Sequence, residues 1–143
     1  MKILALAAVA GLVATALTGA SAVSAVGDEK IHTKRLVSRD IASHSLGPRT
    51  FAGAAVDRRA GHVIGYDSFT GHFYPKQDRA TVWASYALRN GSIAVVVHVN
   101  TASTTSSGRI LNGTGKYKGI AGTVTARTAP NGEKTFITLS YHF

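Results

Sequence analysis

Asp67, His98 and Arg127 are the side chains in this sequence best suited to acid–base or electrostatic chemistry. Each falls within an alternating run of β type. In His62–Phe73 the alternation sets Asp67 between Gly65 and Phe69 on a small, apolar face, with Tyr66, Ser68, Thr70 and His72 opposite. A carboxyl drawn into such a face has its pKa raised and can act as a general acid or base. The same residue satisfied by a backbone group or an arginine is structural. His98, inside Ser92–Asn100, reads as a proton shuttle or, more simply, as a core histidine. If position 121 faces inward, Thr123, Thr125 and Arg127 share that face, and Arg127 is a cation near a cavity mouth or a rim arginine solvating its charge. Trp83, Tyr86, Tyr117 and Tyr141 either line an aromatic cavity or fill a core. Tyr86, Tyr117, Thr123 and Thr125 are the candidate ligand contacts.

Other chemistries are disfavoured. The histidines at positions 32, 44, 62, 72, 98 and 142 form no HExxH or HxH pattern, so no metal site is expected. The chain has no cysteine, which removes thiol chemistry, cysteine ligation and disulfides. There is no Gly-x-Ser-x-Gly elbow, and the glutamates are only Glu29 and Glu133. Gly113-Thr114-Gly115-Lys116 has P-loop composition, but Tyr117 follows the lysine and a strand, not a helix, comes next. That segment is expected to be a tight turn whose Tyr117 folds back over one end of the domain.

The elements that must position these residues are strands. After an apolar leader, nothing shows sustained helical periodicity, and short β-rich runs recur between turn signals. Ala80–Arg89 and Ser92–Asn100 flank Asn90-Gly91, the signal of a type I′ hairpin. Ile93, Val95, Val97 and Val99 share one face of the second strand, and the run is apolar enough on both faces to be covered on both sides. Arg49–Val56 and His62–Phe73 form another hairpin, turning through Asp57-Arg58-Arg59-Ala60-Gly61. Lys30–Ser38, Gly108–Leu111, Gly119–Thr128 and Lys134–Phe143 complete eight strands, with Ile41–Pro48 a looser stretch and Ala102–Ser107 a Ser/Thr-rich connection. Eight antiparallel strands without disulfides are best stabilised by closing the sheet, so the expected fold is an all-β, eight-stranded antiparallel barrel. Such a barrel has room for side chains or one small ligand.

The leader, residues 1–25, has one charge at Lys2, an apolar Ile3–Leu17 and small residues at Ala20-Ser21-Ala22 and Val23-Ser24-Ala25, as a signal peptide does. The expectation is an exported, extracellular domain of residues 26–143 without a membrane anchor. Without Lys2 it has fifteen Lys and Arg against seven Asp and Glu, a net charge of +8. Scattered basic residues favour solubility, or attraction to anionic cell-wall polymers, polysaccharides or nucleic acid, without specific nucleic-acid recognition.

Gly113-Thr114-Gly115-Lys116-Tyr117-Lys118-Gly119-Ile120-Ala121-Gly122-Thr123 resembles the Gly-Gly-Thr-Gly-x-aromatic-x-x-x-x-Gly signature of the allene oxide cyclase-like and dirigent-like barrels. Phe51–Asp57, Gly61-His62-Val63-Ile64-Gly65, Ser68-Phe69-Thr70 and the closing Tyr141-His142-Phe143 resemble other parts of those barrels, and the likeness runs from about Leu46 to Phe143. Asn112 replaces the first glycine, and Ala121 stands where dirigent members often carry arginine. The resemblance implies a calycin-like barrel for a small, mostly apolar molecule, with cofactor-free cyclisation, isomerisation or dirigent-like steering as its activity and a homotrimer as its assembly. The alternative is a non-enzymatic basic extracellular module held to anionic surface polymers.

Overall fold

The computed structural model describes residues 29–143. The expected leader lies outside the described residues. Eight strands follow one another around the wall: β1 (His32–Ser45), β2 (Thr50–Arg59), β3 (His62–Tyr74), β4 (Arg79–Leu88), β5 (Gly91–Asn100), β6 (Thr105–Gly113), β7 (Ala121–Thr128) and β8 (Thr135–His142). Each pairs antiparallel with the next, and β1 closes the barrel on β8 through seven residue pairs from His32–Tyr141 to Ser38–Thr135. The closed sheet satisfies most strand edges within the wall, as the absence of disulfides led us to expect.

Period-two alternation divides the residues between lumen and outer surface. Ile93, Val95, Val124 and Leu139 point inward and are sealed from solvent, and Leu36, Val97, Ile110 and Ile137 pack with them. One end is plugged. After β6 the chain makes a single 3₁₀ turn, Gly115–Tyr117, which buries the Tyr117 ring edge-on against Tyr141, with centroids 6.1 Å apart. Lys34 Nζ lies 5.6 Å from the same ring. The glycine-rich run is therefore a turn that stoppers the barrel. Gly91 makes the stopper fit, since a Cβ there would come within 2.1 Å of the Thr114 carbonyl oxygen. At the other end the loops between β1 and β2, β3 and β4, β5 and β6, and β7 and β8 surround an open lumen.

Several boundaries differ from those expected. Ile41 and its neighbours continue β1 past a bulge between Asp40 and Ala42. Thr105, Ser106 and Ser107 belong to β6, because their pairing with Arg127, Ala126 and Thr125 is needed to join β5 to β7. The Arg89-Asn90 pair forms the β4–β5 turn, and only Gly91 of Asn90-Gly91 has positive φ, so no type I′ turn forms there. That geometry belongs instead to Ala60-Gly61, whose φ angles are 49° and 83°. The outer face of β5 is buried only at Val96, between its cross-strand neighbours Trp83 and Arg109. His98, two residues further along, is exposed.

Candidate functional site

The open half of the lumen holds a cavity of about 220 Å³. Its walls are Phe51, Phe69, Val82, Ala84, Val97 and Val99, and Ser103, Ser106, Thr128 and Thr135 stand around the mouth. Its acidic side chains are Asp40 and Asp67, and among the described residues no Lys, Arg or His lines it. This is smaller than the ~300–1,000 Å³ usual for drug-sized ligands, so it suits a small molecule or one end of a larger one.

The polar floor follows from register. Ser38 on β1 lies opposite Asp57 on β2. Asp57 lies opposite Gly65 on β3, and Asp67, two residues on, is directly across from Tyr86 on β4. Inward alternation thus sets Ser38, Asp57, Asp67 and Tyr86 side by side across four strands. Ser38 Oγ donates to Asp67 Oδ2 at 2.7 Å. Asp57 is completely buried and, among the described residues, no donor reaches either of its carboxyl oxygens, while as the acid it can donate its own proton to Asp67.

A carboxyl group without water or a donor holds its proton. Burial, and then the negative charge of Asp67, push the Asp57 pKa up to about 8. Asp67 is also raised, chiefly by burial, but the Ser38 hydroxyl and the Asp57 carboxyl favour its charged form and partly offset the shift. The two groups titrate as a pair. At neutral pH Asp57 keeps the proton, and Asp67 is the member that faces the cavity. Tyr86 is pushed upward by burial first and then by the charges of Asp67 and Asp57, so it stays a neutral phenol donor. Asp40, nearer the mouth, is raised by burial.

Among the expected site residues, the structure brings together Asp67 and Tyr86. His98 lies on the outer surface, with Nδ1 3.5 Å from Thr81 Oγ1, because Val97 and Val99 take the inward positions of β5. It is neither in the lumen nor in the core. Thr123, Thr125 and Arg127 also face outward, because the sealed Val124 takes the inward position and fixes the parity of β7. The Arg127 guanidinium sits 4.9 Å from the centroid of the Phe136 ring on the outside of the wall. Tyr117 belongs to the stopper, away from the cavity. Asp57, read as the start of a turn, is the residue missed. Its signal was the small-residue alternation Gly53, Ala55, Asp57, which continues inward because β2 runs to Arg59 and the chain reverses only at Ala60-Gly61. Among the described residues, no cluster of three His, Cys, Asp or Glu side chains is arranged to hold a metal ion.

The closed eight-stranded barrel is a fold shared with solved dirigent proteins and Diels–Alderases. A pyocyanin demethylase superposes with a TM-score of 0.65 at 17% identity, over 77% of this chain and 99% of that one. The Diels–Alderase AbmU from Streptomyces koyangensis gives 0.63 at 14% identity, over 78% of this chain and 63% of that one. The pterocarpan synthase dirigent protein GePTS1 gives 0.61 at 9% identity, over 80% and 86%. No protein-family model matches the sequence. No curated protein matches it either.

Proposed function

We propose that this protein binds a small, mostly apolar molecule in the open half of the barrel and moves a proton on it, in a cyclase-, isomerase- or dirigent-like role. The observation that carries this reading is the Asp57–Asp67 carboxyl pair beneath a cavity with a neutral phenol alongside. In this arrangement the Asp67 carboxylate takes a proton from a carbon beside a carbonyl, while the Tyr86 hydroxyl donates to the oxygen on which charge develops. Return of the proton from Asp67 to another carbon completes an isomerisation; in a cyclisation the enolate carbon attacks an electrophilic double-bonded carbon of the same molecule, the π bond there breaks, and the resulting anion takes the proton back from Asp67. A positioned general base contributes ~10²–10⁴-fold. The activities named for the solved barrels support a small organic substrate. The leader at 1–25 supports export, which the mass of protein recovered outside expressing cells will test.

The test uses 2-tetralone, a compact apolar ketone with exchangeable α-protons, in D₂O, with exchange followed by proton NMR. The proteins compared are the wild type, Asp67→Asn and Ala126→Phe, the last to fill the lumen. The wild type should exchange the ketone at least ten-fold faster than buffer at the same pH, and both variants should fall to the buffer rate. Binding of the ketone without acceleration, or acceleration that survives Asp67→Asn, overturns the proton-transfer reading. Binding that survives Ala126→Phe overturns the lumen as the site.

A further inference from the structure

The outer surface carries a second feature, independent of the lumen. Arg127 on β7 lies opposite Phe136 on β8, Phe136 opposite Val37 on β1, and Val37 opposite Arg58 on β2. These four side chains form one row across four strands, roughly 14 Å from end to end at about 4.8 Å per strand. Arg35 and Arg39 stand two residues to either side of Val37 on the same outward face, each roughly 7 Å away along β1. Arg59 ends β2 beside them.

The wall is notched at this point. β1 pairs with β2 only from Val37 onward, so among the described residues the first part of β1 has β8 on one side and no strand on the other. The notch opens into a groove of about 420 Å³ lined by Arg35, Arg58, Arg59 and Phe136. Two of the guanidiniums are held in place. Arg127 lies over the Phe136 ring, and Arg58 Nη1 donates to the Gly61 carbonyl at 2.9 Å. Among the described residues no carboxylate lies within ion-pairing distance of any of these arginines, and Glu29, before β1, is 2.9 Å from His142 Nδ1. Asp40, Asp57 and Asp67, which the same strands carry, all turn inward.

We infer that the outer face of β7, β8, β1 and β2 is a binding surface for an extended polyanion that carries sulfate or phosphate groups and no bases. Guanidiniums at the two ends of this roughly 14 Å row, with Arg35 and Arg39 about 7 Å to either side of Val37, match a chain with several charges better than a single small anion. Arginine presents a planar fork to sulfate and phosphate oxygens. Single-stranded nucleic-acid sites stack successive bases on several aromatic side chains, whereas this row holds one aromatic ring, Phe136, with Arg127 over one of its faces. The surface works with the lumen empty, full or blocked.

The test measures the salt dependence of binding to a heparin-derived oligosaccharide and to linear polyphosphate. One triple variant, Arg35→Gln/Arg58→Gln/Arg127→Gln, alters the row. A second, Arg79→Gln/Arg89→Gln/Arg109→Gln, removes the same charge elsewhere. Thermal melts confirm that both fold. Each lost contact lowers the slope of log K against log salt by ~0.7–0.9, so the row variant should lose about two units of slope and the other variant almost none. The two polymers tell a sulfate-bearing source from a phosphate-bearing one, and binding of either supports the inference. Equal losses in the two variants would show bulk charge alone and overturn it. Single-stranded DNA that binds tighter than both polymers at equal charge would overturn the base-free chemistry.

Discussion

Asp57→Asn should make the protein more stable at alkaline pH, and the size of the effect follows from the burial of that carboxyl. In the folded barrel its pKa is pushed up to about 8, against an ordinary carboxylate value of 3.8 in the unfolded chain. Between these values the folded state binds one more proton than the unfolded state, so stability falls as pH rises. The contribution is fully present below the unfolded pKa and is lost by the time pH passes the folded one. One proton over the three units from pH 5 to 8 amounts to about 4 kcal/mol at ~1.36 kcal/mol per unit. For a domain of this size that is roughly 15 °C of Tm. Asp67, raised as well, adds to the same slope. Asn keeps the shape and neutrality of the protonated acid and can still donate toward Asp67. The variant should therefore match the wild type within about 1 kcal/mol at pH 5 and exceed it by several at pH 8. Chemical denaturation at half-unit pH steps measures both curves. A wild-type stability that stays flat or rises from pH 5 to 8, or a variant with the wild-type slope, would refute the claim that Asp57 is buried as the acid.

Three further outcomes are expected. Ser38→Ala removes the hydrogen bond to Asp67 Oδ2 and should cost ~1–3 kcal/mol at neutral pH, with the penalty shrinking in acid as Asp67 protonates, as urea melts at the two pH values would show. Gly108→Ala places a Cβ 1.8 Å from the Val96 carbonyl oxygen and should cost more than ~3 kcal/mol, whereas Gly119→Ala, at φ 85° with open space around it, should cost only ~1–2 kcal/mol; thermal melts of the pair compare backbone collision with dihedral strain. His98→Ala, Thr125→Ala and Arg127→Ala should each leave 2-tetralone exchange within two-fold of wild type, because all three side chains lie outside the wall.

The barrel was legible because strand alternation, turn residues and the glycine-rich motif all agreed on it. Asp67 was legible for the same reason: Gly65 and Phe69 on either side mark its face unambiguously. β7 misled because Ala121-Gly122-Thr123-Val124-Thr125-Ala126-Arg127 has small residues on both faces, and only the burial of Val124 in the assembled core sets its parity. Asp57 misled because Asp-Arg-Arg before Ala-Gly has turn composition, whereas the reversal needs only two residues. His98 sits in so apolar a run that it invited an inward reading. Its exposure follows from Val97 and Val99 facing the cavity. The arginine row was out of reach, since its members come from four strands and meet only through cross-strand register.

The Tyr117 stopper has a kinetic consequence. With one end sealed, whatever enters the lumen must leave by the same opening between the loops. An occupant cannot be pushed out ahead of an incoming molecule, as it can in a through-channel, and the two cannot pass each other in so narrow a space. The first must leave before the second enters. For the proton transfer proposed above, product therefore competes with substrate for the empty barrel, and turnover cannot exceed the rate at which the lumen empties.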